Sequence, residues 1–141
     1  MDDHQKTLVK ESFAKVAPRS EEAARLFYGR LFEIAPDLRA LFKGDMDEQG
    51  RKLISMISVA VANIDRLDAV APAVRALGER HATYGVTDKD YGPVAAALLW
   101  TLEQALGDAF DTPAREAWVA LYTIVAGLMK DAAAERQTAA A

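Results

Sequence analysis

Residues 77–86 read "LGERHATYGV", and the place of His81 in that stretch decides how the interior of the chain is read. Val74, Leu77 and His81 recur at three- and four-residue steps, so they share one side of a helix. An imidazole among apolar residues needs a hydrogen bond or a metal, because leaving it buried and unpaired costs ~1–3 kcal/mol.

Working outward, helical spacing continues in both directions. Leu8, Val9, Ser12, Phe13 and Val16 mark a first helix over about Asp3–Val16, interrupted by Pro18. A second begins at Ser20, expected as its N-cap, and carries Ala24, Phe27, Tyr28, Leu31 and Ile34. Pro36 opens a short helix ending near Phe42. After the polar stretch 43–50, Gln49, Leu53, Met56, Ile57, Ala60 and Ile64 mark another face. Pro72 is expected to start the short helix that carries His81. Thr87 or Asp88 then caps a long helix from Tyr91 to Gly107, through Val94, Leu98 and Leu102. Thr112-Pro113 reads as cap and N1 proline of a last helix burying Trp118, Leu121, Tyr122, Val125 and Met129. No alternating run joined by an Asn-Gly or Asp-Gly turn signals a hairpin, so the chain reads as all-α. No repeat or linker divides it; residues 1–141 are expected to form one domain, with a low-complexity tail fraying over 131–141.

Composition narrows the function. The chain has 51% hydrophobic and 27% charged residues, a globular balance, and no uninterrupted apolar run approaches the ~18 residues of a membrane span. No membrane association is expected. The polar N-terminus lacks the apolar core of a secretory signal, so a cytoplasmic protein is expected. Without cysteine there is no disulfide, thiolate metal site or cysteine nucleophile. A net charge of −4 without a basic run argues against nucleic acid as partner.

Three polar residues fall on apolar faces: Tyr28, Gln49 and His81. Singly, each has an ordinary explanation: Tyr28 spans core and surface, Gln49 is an exposed helix start, and His81 donates to a carbonyl. Together, an imidazole on one helix facing a phenol and an amide on others fits an iron held between them. The chain contains only His4 and His81, so a multi-histidine zinc site is excluded by arithmetic. A metal with one protein ligand needs a cofactor to complete its coordination, and a porphyrin supplies four nitrogens.

The order "FYGRLFEIAPDLRALF", "QGRKL", "LGERHATYGV" and "AWVALYTIVAGLM" resembles the globins over roughly residues 5–130. Within them it is most similar to single-domain bacterial haemoglobins related to flavohaemoglobins and, more distantly, to neuroglobin. The resemblance implies the globin fold, about seven to eight helices packed around one haem pocket, with haem b (protoporphyrin IX iron) as cofactor. His81 then matches the proximal iron ligand, Phe42 the aromatic wedged against the haem, Tyr28 the distal tyrosine and Gln49 the distal position facing the sixth site. Leu53 matches the apolar residue closing the pocket above the iron. Lys52 matches a base near a propionate, or is simply solvated; Tyr91 matches a proximal tyrosine, or is a core residue at a helix start.

Burial of haem against Phe42, Leu53, Leu77, Val86, Val94 and Leu98 removes several hundred Å² of apolar surface from water, several kcal/mol at ~25 cal/mol/Å². The function implied is reversible binding of dioxygen and other diatomic gases at ferrous iron, for storage, transport or sensing. The alternative is nitric oxide dioxygenation served by a separate reductase, since 141 residues leave no room for a fused flavin domain. One departure bears on the chemistry. Flavohaemoglobin-like chains place a glutamate beside the proximal histidine where this chain has a position near Ala133, flanked by Asp131 and Glu135; without it the imidazole is less anionic.

Overall fold

In the computed structural model, which describes the backbone of residues 1–140 and the side chains of residues 1–136, helix boundaries follow local capping chemistry. Helix α1 (Asp3–Val16) opens with a reciprocal box: the Gln5 N–H donates to Asp2 Oδ1 at 2.7 Å and the Asp2 N–H donates to Gln5 Oε1 at 3.2 Å. A 3₁₀ turn over Ala17–Arg19 absorbs Pro18 and runs straight into α2 (Ser20–Ile34). Ser20 is therefore the first residue of α2 and makes no capping bond, contrary to its expected role.

The short helix expected at Pro36 is a 3₁₀ turn, Pro36–Leu41, closed by Leu38 N–H to Ala35 O at 3.0 Å and Phe42 N–H to Arg39 O at 3.1 Å. So brief a segment gains too few i→i−4 bonds to offset helix nucleation. Asp45 accepts from the Asp47 N–H at 2.8 Å and starts α3 (Met46–Ala62). Helix α4 (Leu67–Thr83) also starts earlier than the sequence suggests, and Pro72 lies inside it. Proline removes one N–H, the one that would reach the carbonyl of exposed Asp68, which water can satisfy. Leu67 and Val70 pack on the core and hold the turns preceding the proline.

Thr87 donates its N–H (2.9 Å) and hydroxyl (3.2 Å) to the Asp90 carboxylate, fixing the turn before α5 (Tyr91–Leu106), which ends at Gly107 with φ +56. The cap of α6 (Thr112–Ala140) is Asp111, which accepts from the Ala114 N–H at 3.0 Å; Thr112 and Pro113 are its first two residues. The tail expected to fray from 131 continues as helix: Ala132 is fully buried, Glu135 pairs with Arg75, and Arg136 donates to the Glu79 carbonyl at 3.1 Å and to the Thr83 hydroxyl. Ala141 lies outside the described residues. Thus the described residues form six α-helices joined by 3₁₀ turns, with no strand; the count falls below seven because the Pro36 segment is 3₁₀. By length and composition alone, Thr112–Arg136 is apolar enough to cross a membrane, which the sequence reading did not anticipate; in the fold, Ala117, Trp118, Leu121, Met129 and Ala132 on that helix are buried within the protein.

The apolar residues gather into three clusters rather than one. The first centres on Val9, Val16, Ile64 and Trp118, the second on Phe27, Leu31 and Leu38, the third on Val74, Tyr91 and Met129. Trp118 donates its indole N–H to Ser12 Oγ at 2.8 Å, pinning α6 to α1. Helices α4 and α6 cross so closely that a Cβ on Gly78 would stand 2.5 Å from Met129 Cα and from its carbonyl oxygen. Gly29 differs, since a Cβ there meets nothing within 4 Å. Gly78→Ala is therefore expected to lower unfolding free energy by about 2–3 kcal/mol, whereas Gly29→Ala raises it by up to about 1 kcal/mol through helix propensity. Urea denaturation of the two variants beside the parent measures both; equal effects would remove the special status given to the α4–α6 crossing.

Candidate functional site

The three clusters are held apart by a cavity of about 440 Å³. Its wall takes Phe27 and Leu31 from the second cluster, Trp118 and Leu121 from the first, and Ala126 and Met129 from the third. Every residue that the sequence assigned to a haem pocket lies on this wall. Tyr28 comes from α2, Phe42 from the corner after the 3₁₀ turn, and Gln49, Lys52 and Leu53 from α3. Leu77 and His81 come from α4, Val86 from the following loop, and Tyr91, Val94 and Leu98 from α5.

His81 makes the hydrogen bond to a carbonyl that one of its two readings requires. Its Nδ1 lies 2.9 Å from the Leu77 carbonyl one turn back, and a carbonyl can only accept, so Nδ1 carries the proton and donates. That assigns the lone pair to Nε2, which has no hydrogen-bond partner among the described residues. Burial pushes the imidazole below its ordinary value of 6.5, the Leu77 bond opposes this, and the Arg80 charge adds to the lowering. The result is a neutral imidazole with one nitrogen committed and one available, on the wall of an apolar cavity. This is the donor chemistry a haem iron takes from protein, and the separated core supplies the volume, so the residues present fit the group.

Tyr28 packs edge-on against Phe27 and Phe42, with ring centroids 4.9 and 5.3 Å away, and is stacked over Phe32 at 6.0 Å. Burial pushes its phenol up to about 12, so it remains a proton donor at neutral pH, and its hydroxyl has no partner among the described residues. Tyr91 is buried at the first turn of α5; burial and then the nearby Asp88 and Asp90 charges raise its phenol. Its backbone carbonyl accepts from the Tyr122 hydroxyl at 2.7 Å, and Lys130 Nζ sits 5.2 Å above its ring.

Lys52 is exposed and also lines the cavity. Arg80 and Tyr84 do the same from the end of α4, and with Lys52 they mark the mouth of the cavity. Sequence reasoning missed Arg80, Tyr84 and Tyr122 as wall residues. Arg80 falls beside His81 on the polar side of α4, and nothing in its spacing separates a solvated guanidinium from one at a cavity rim. Neither Asp131 nor Glu135 reaches the cavity wall, and the carboxylate that does, Asp90, accepts from Thr87 instead of His81.

Residues 25–129 match the family model described as Globin, and the chain belongs to the globin family. It is 31% identical over 131 residues to a flavohemoprotein of Xylella fastidiosa, covering 91% of this chain and 33% of that one; the chain thus spans about one third of that relative's length. It is 28% identical over 143 residues to a neuroglobin of Dissostichus mawsoni, covering 92% and 90%. Among solved structures, an engineered carbene transferase from Rhodothermus marinus superposes with a TM-score of 0.89 at 25% identity, covering 99% and 97%. A bacterial globin from Campylobacter jejuni gives 0.85 at 23% identity, covering 97% and 99%, a likeness of fold alone. Membership in the family implies that the chain binds haem and a diatomic ligand.

A neutral buried His81 also carries a pH dependence. Its folded pKa is lowered, so the unfolded chain binds the proton first as pH falls below 6.5 and stability drops through that window, while above it the contribution is fully present. Urea midpoints of the haem-free protein between about pH 8 and about pH 5 are expected to fall more steeply for the parent than for His81→Phe. Parallel profiles would mean that His81 is not held neutral.

Proposed function

We propose that the chain is a haem b globin that binds dioxygen reversibly at ferrous iron, with His81 as its one protein ligand. The observation that carries this reading is the orientation of His81: Nδ1 tied to Leu77, and Nε2 with no partner among the described residues, on a wall that has no second histidine. When bound, the haem supplies an iron with an open site for a diatomic gas. The residues of the chain do the rest. Leu53, Val94 and Leu98 exclude water, and Phe42 would pack against the haem at the corner. Lys52 and Arg80, exposed on the cavity wall, would supply cations for the haem propionates. Tyr28, kept protonated by burial, donates a hydrogen bond toward a ligand that gains negative charge, and Gln49 adds a weaker one because it must order three torsions.

The likeness to a flavohemoprotein supports a second reading, nitric oxide dioxygenation to nitrate with electrons from a separate reductase. Sustained nitric oxide consumption by the holoprotein in the presence of a flavin reductase would favour it over simple oxygen binding.

His81→Ala is expected to lose the Soret band on desalting, or to keep it only with added imidazole, since His4 lies on the first turn of α1 outside the cavity wall. An alanine variant with an unchanged ferrous spectrum would show that another group ligates the iron. Tyr28→Phe is expected to speed oxygen dissociation by about tenfold or more, the equivalent of one charge-assisted hydrogen bond of ~1.5–3 kcal/mol. Carbon monoxide, which carries little charge when bound, responds far less. Stopped-flow dissociation that changes both gases equally would point to altered access instead of a lost hydrogen bond.

A further inference from the structure

His81 lies in the last turn of α4, which ends at Thr83, and a helix opens most easily where its ladder of backbone bonds runs out. A side chain that must hold an iron is badly placed there unless something outside the helix secures the turn. The following loop does part of this. The Tyr84 N–H is shared between the Arg80 and His81 carbonyls at 3.1 Å each, and the Val86 N–H donates to the His81 carbonyl at 3.0 Å. We infer that Arg136 is a positioning residue for His81, gripping the last turn of α4 from behind so that the imidazole stays turned toward the cavity.

Helix geometry puts the grip on the correct side. Glu79 and Thr83 flank His81 at two residues' distance, about 200° round the helix from it, and neither lines the cavity. Arg136 reaches both: its Nη1 donates to the Glu79 carbonyl at 3.1 Å and to the Thr83 hydroxyl, and that hydroxyl donates in turn to the Glu79 carbonyl at 3.1 Å. The three groups close a ring across one turn of α4. The α6 end of the grip is anchored as well. Met129, Ala132 and Arg136 recur at three- and four-residue steps, so Arg136 continues the stripe that carries two buried residues, one of them at the α4 crossing. Its positive charge also lies beside the C-terminal end of α4, where the helix dipole favours a cation. All three members of the ring are exposed, so these bonds add little to overall stability and act instead on where the last turn sits. The other polar tie between the two helices, Arg75 to Glu135, lies well over a turn before His81.

The inference rests on the haem-globin reading and is tested first on holoprotein. In the deoxy-ferrous form, the iron–histidine stretching band of the resonance Raman spectrum reports how the imidazole is seated. Arg136→Ala, and Thr83→Val, which removes one hydroxyl and keeps the shape of the side chain, are both expected to shift or broaden that band. Both should also speed haem loss to an excess of a haem-free acceptor globin by about threefold or more, the effect of losing an exposed hydrogen bond. Arg75→Ala breaks the other tie between the same helices and should leave the band in its parental position. In haem-free protein, amide exchange over residues 81–86 is expected to rise in Arg136→Ala and Thr83→Val and to stay parental in Arg75→Ala. A parental band with parental haem loss in Arg136→Ala overturns the grip and leaves the haem reading standing. A band moved as far by Arg75→Ala overturns it too, since any loosening of α4 from α6 would then suffice. A parent chain that takes up no haem overturns both.

Discussion

Helices α4 and α6 meet backbone to backbone at Gly78 and Met129, and the arrangement of the whole site depends on that crossing. Nothing larger than hydrogen fits at position 78. The imidazole of His81 projects less than one turn further along α4, so its position is set by a contact between main chains, which deform much less than side chains. The same segment is tied again on either side of the histidine, where Arg136 of α6 donates to the Glu79 carbonyl and to the Thr83 hydroxyl. Leu77, whose carbonyl fixes the tautomer of His81, immediately precedes the crossing. Placement and protonation of the imidazole therefore come from a single short stretch of helix.

The split core is the second consequence. Holding α4 onto α6 and α2 onto α3 leaves the interior between them too wide for side chains to fill, and three apolar clusters face one another across a cavity. The lining of a cavity of that size makes fewer dispersion contacts within the protein than a packed core does. A flat apolar group of several hundred Å² would return those contacts, and its binding would then be coupled to folding. Trp118 shows the coupling at one residue, forming part of the cavity wall while its indole N–H holds α1 through Ser12.

The all-α class was legible in apolar spacing, and the polar residues on apolar faces marked the site, because an imidazole, a phenol and an amide are costly inside unless something uses them. What spacing could not yield was tertiary in origin. Pro72 looked like a helix start, but Leu67 and Val70 pack firmly enough to carry α4 past it. Ser20 looked like a cap, but the preceding turn already delivers the chain in helical geometry. The tail beyond 130 looked unstructured because alanine-rich sequence gives no amphipathic signal; Ala132 is buried because its small side chain suits a close approach. Arg80 and Tyr84 join the wall because helix α4 ends at the rim of the cavity, a relation that no local pattern encodes.

The partner of His81 Nδ1 also bears on which chemistry the site favours. A carboxylate at that nitrogen would draw the proton away and make the imidazole a stronger electron donor, which assists cleavage of oxygen–oxygen bonds. Here the acceptor is a neutral carbonyl, the Arg80 charge lies beside the ring, and Asp90 is occupied by Thr87. Glu135, near the position where a carboxylate would be needed, pairs with Arg75 on the outside of α4. Each of these keeps the imidazole neutral and its donation modest. In the proposed haem site, with the Tyr28 phenol kept protonated by burial, the balance would lie toward holding a polar diatomic ligand intact and away from breaking it.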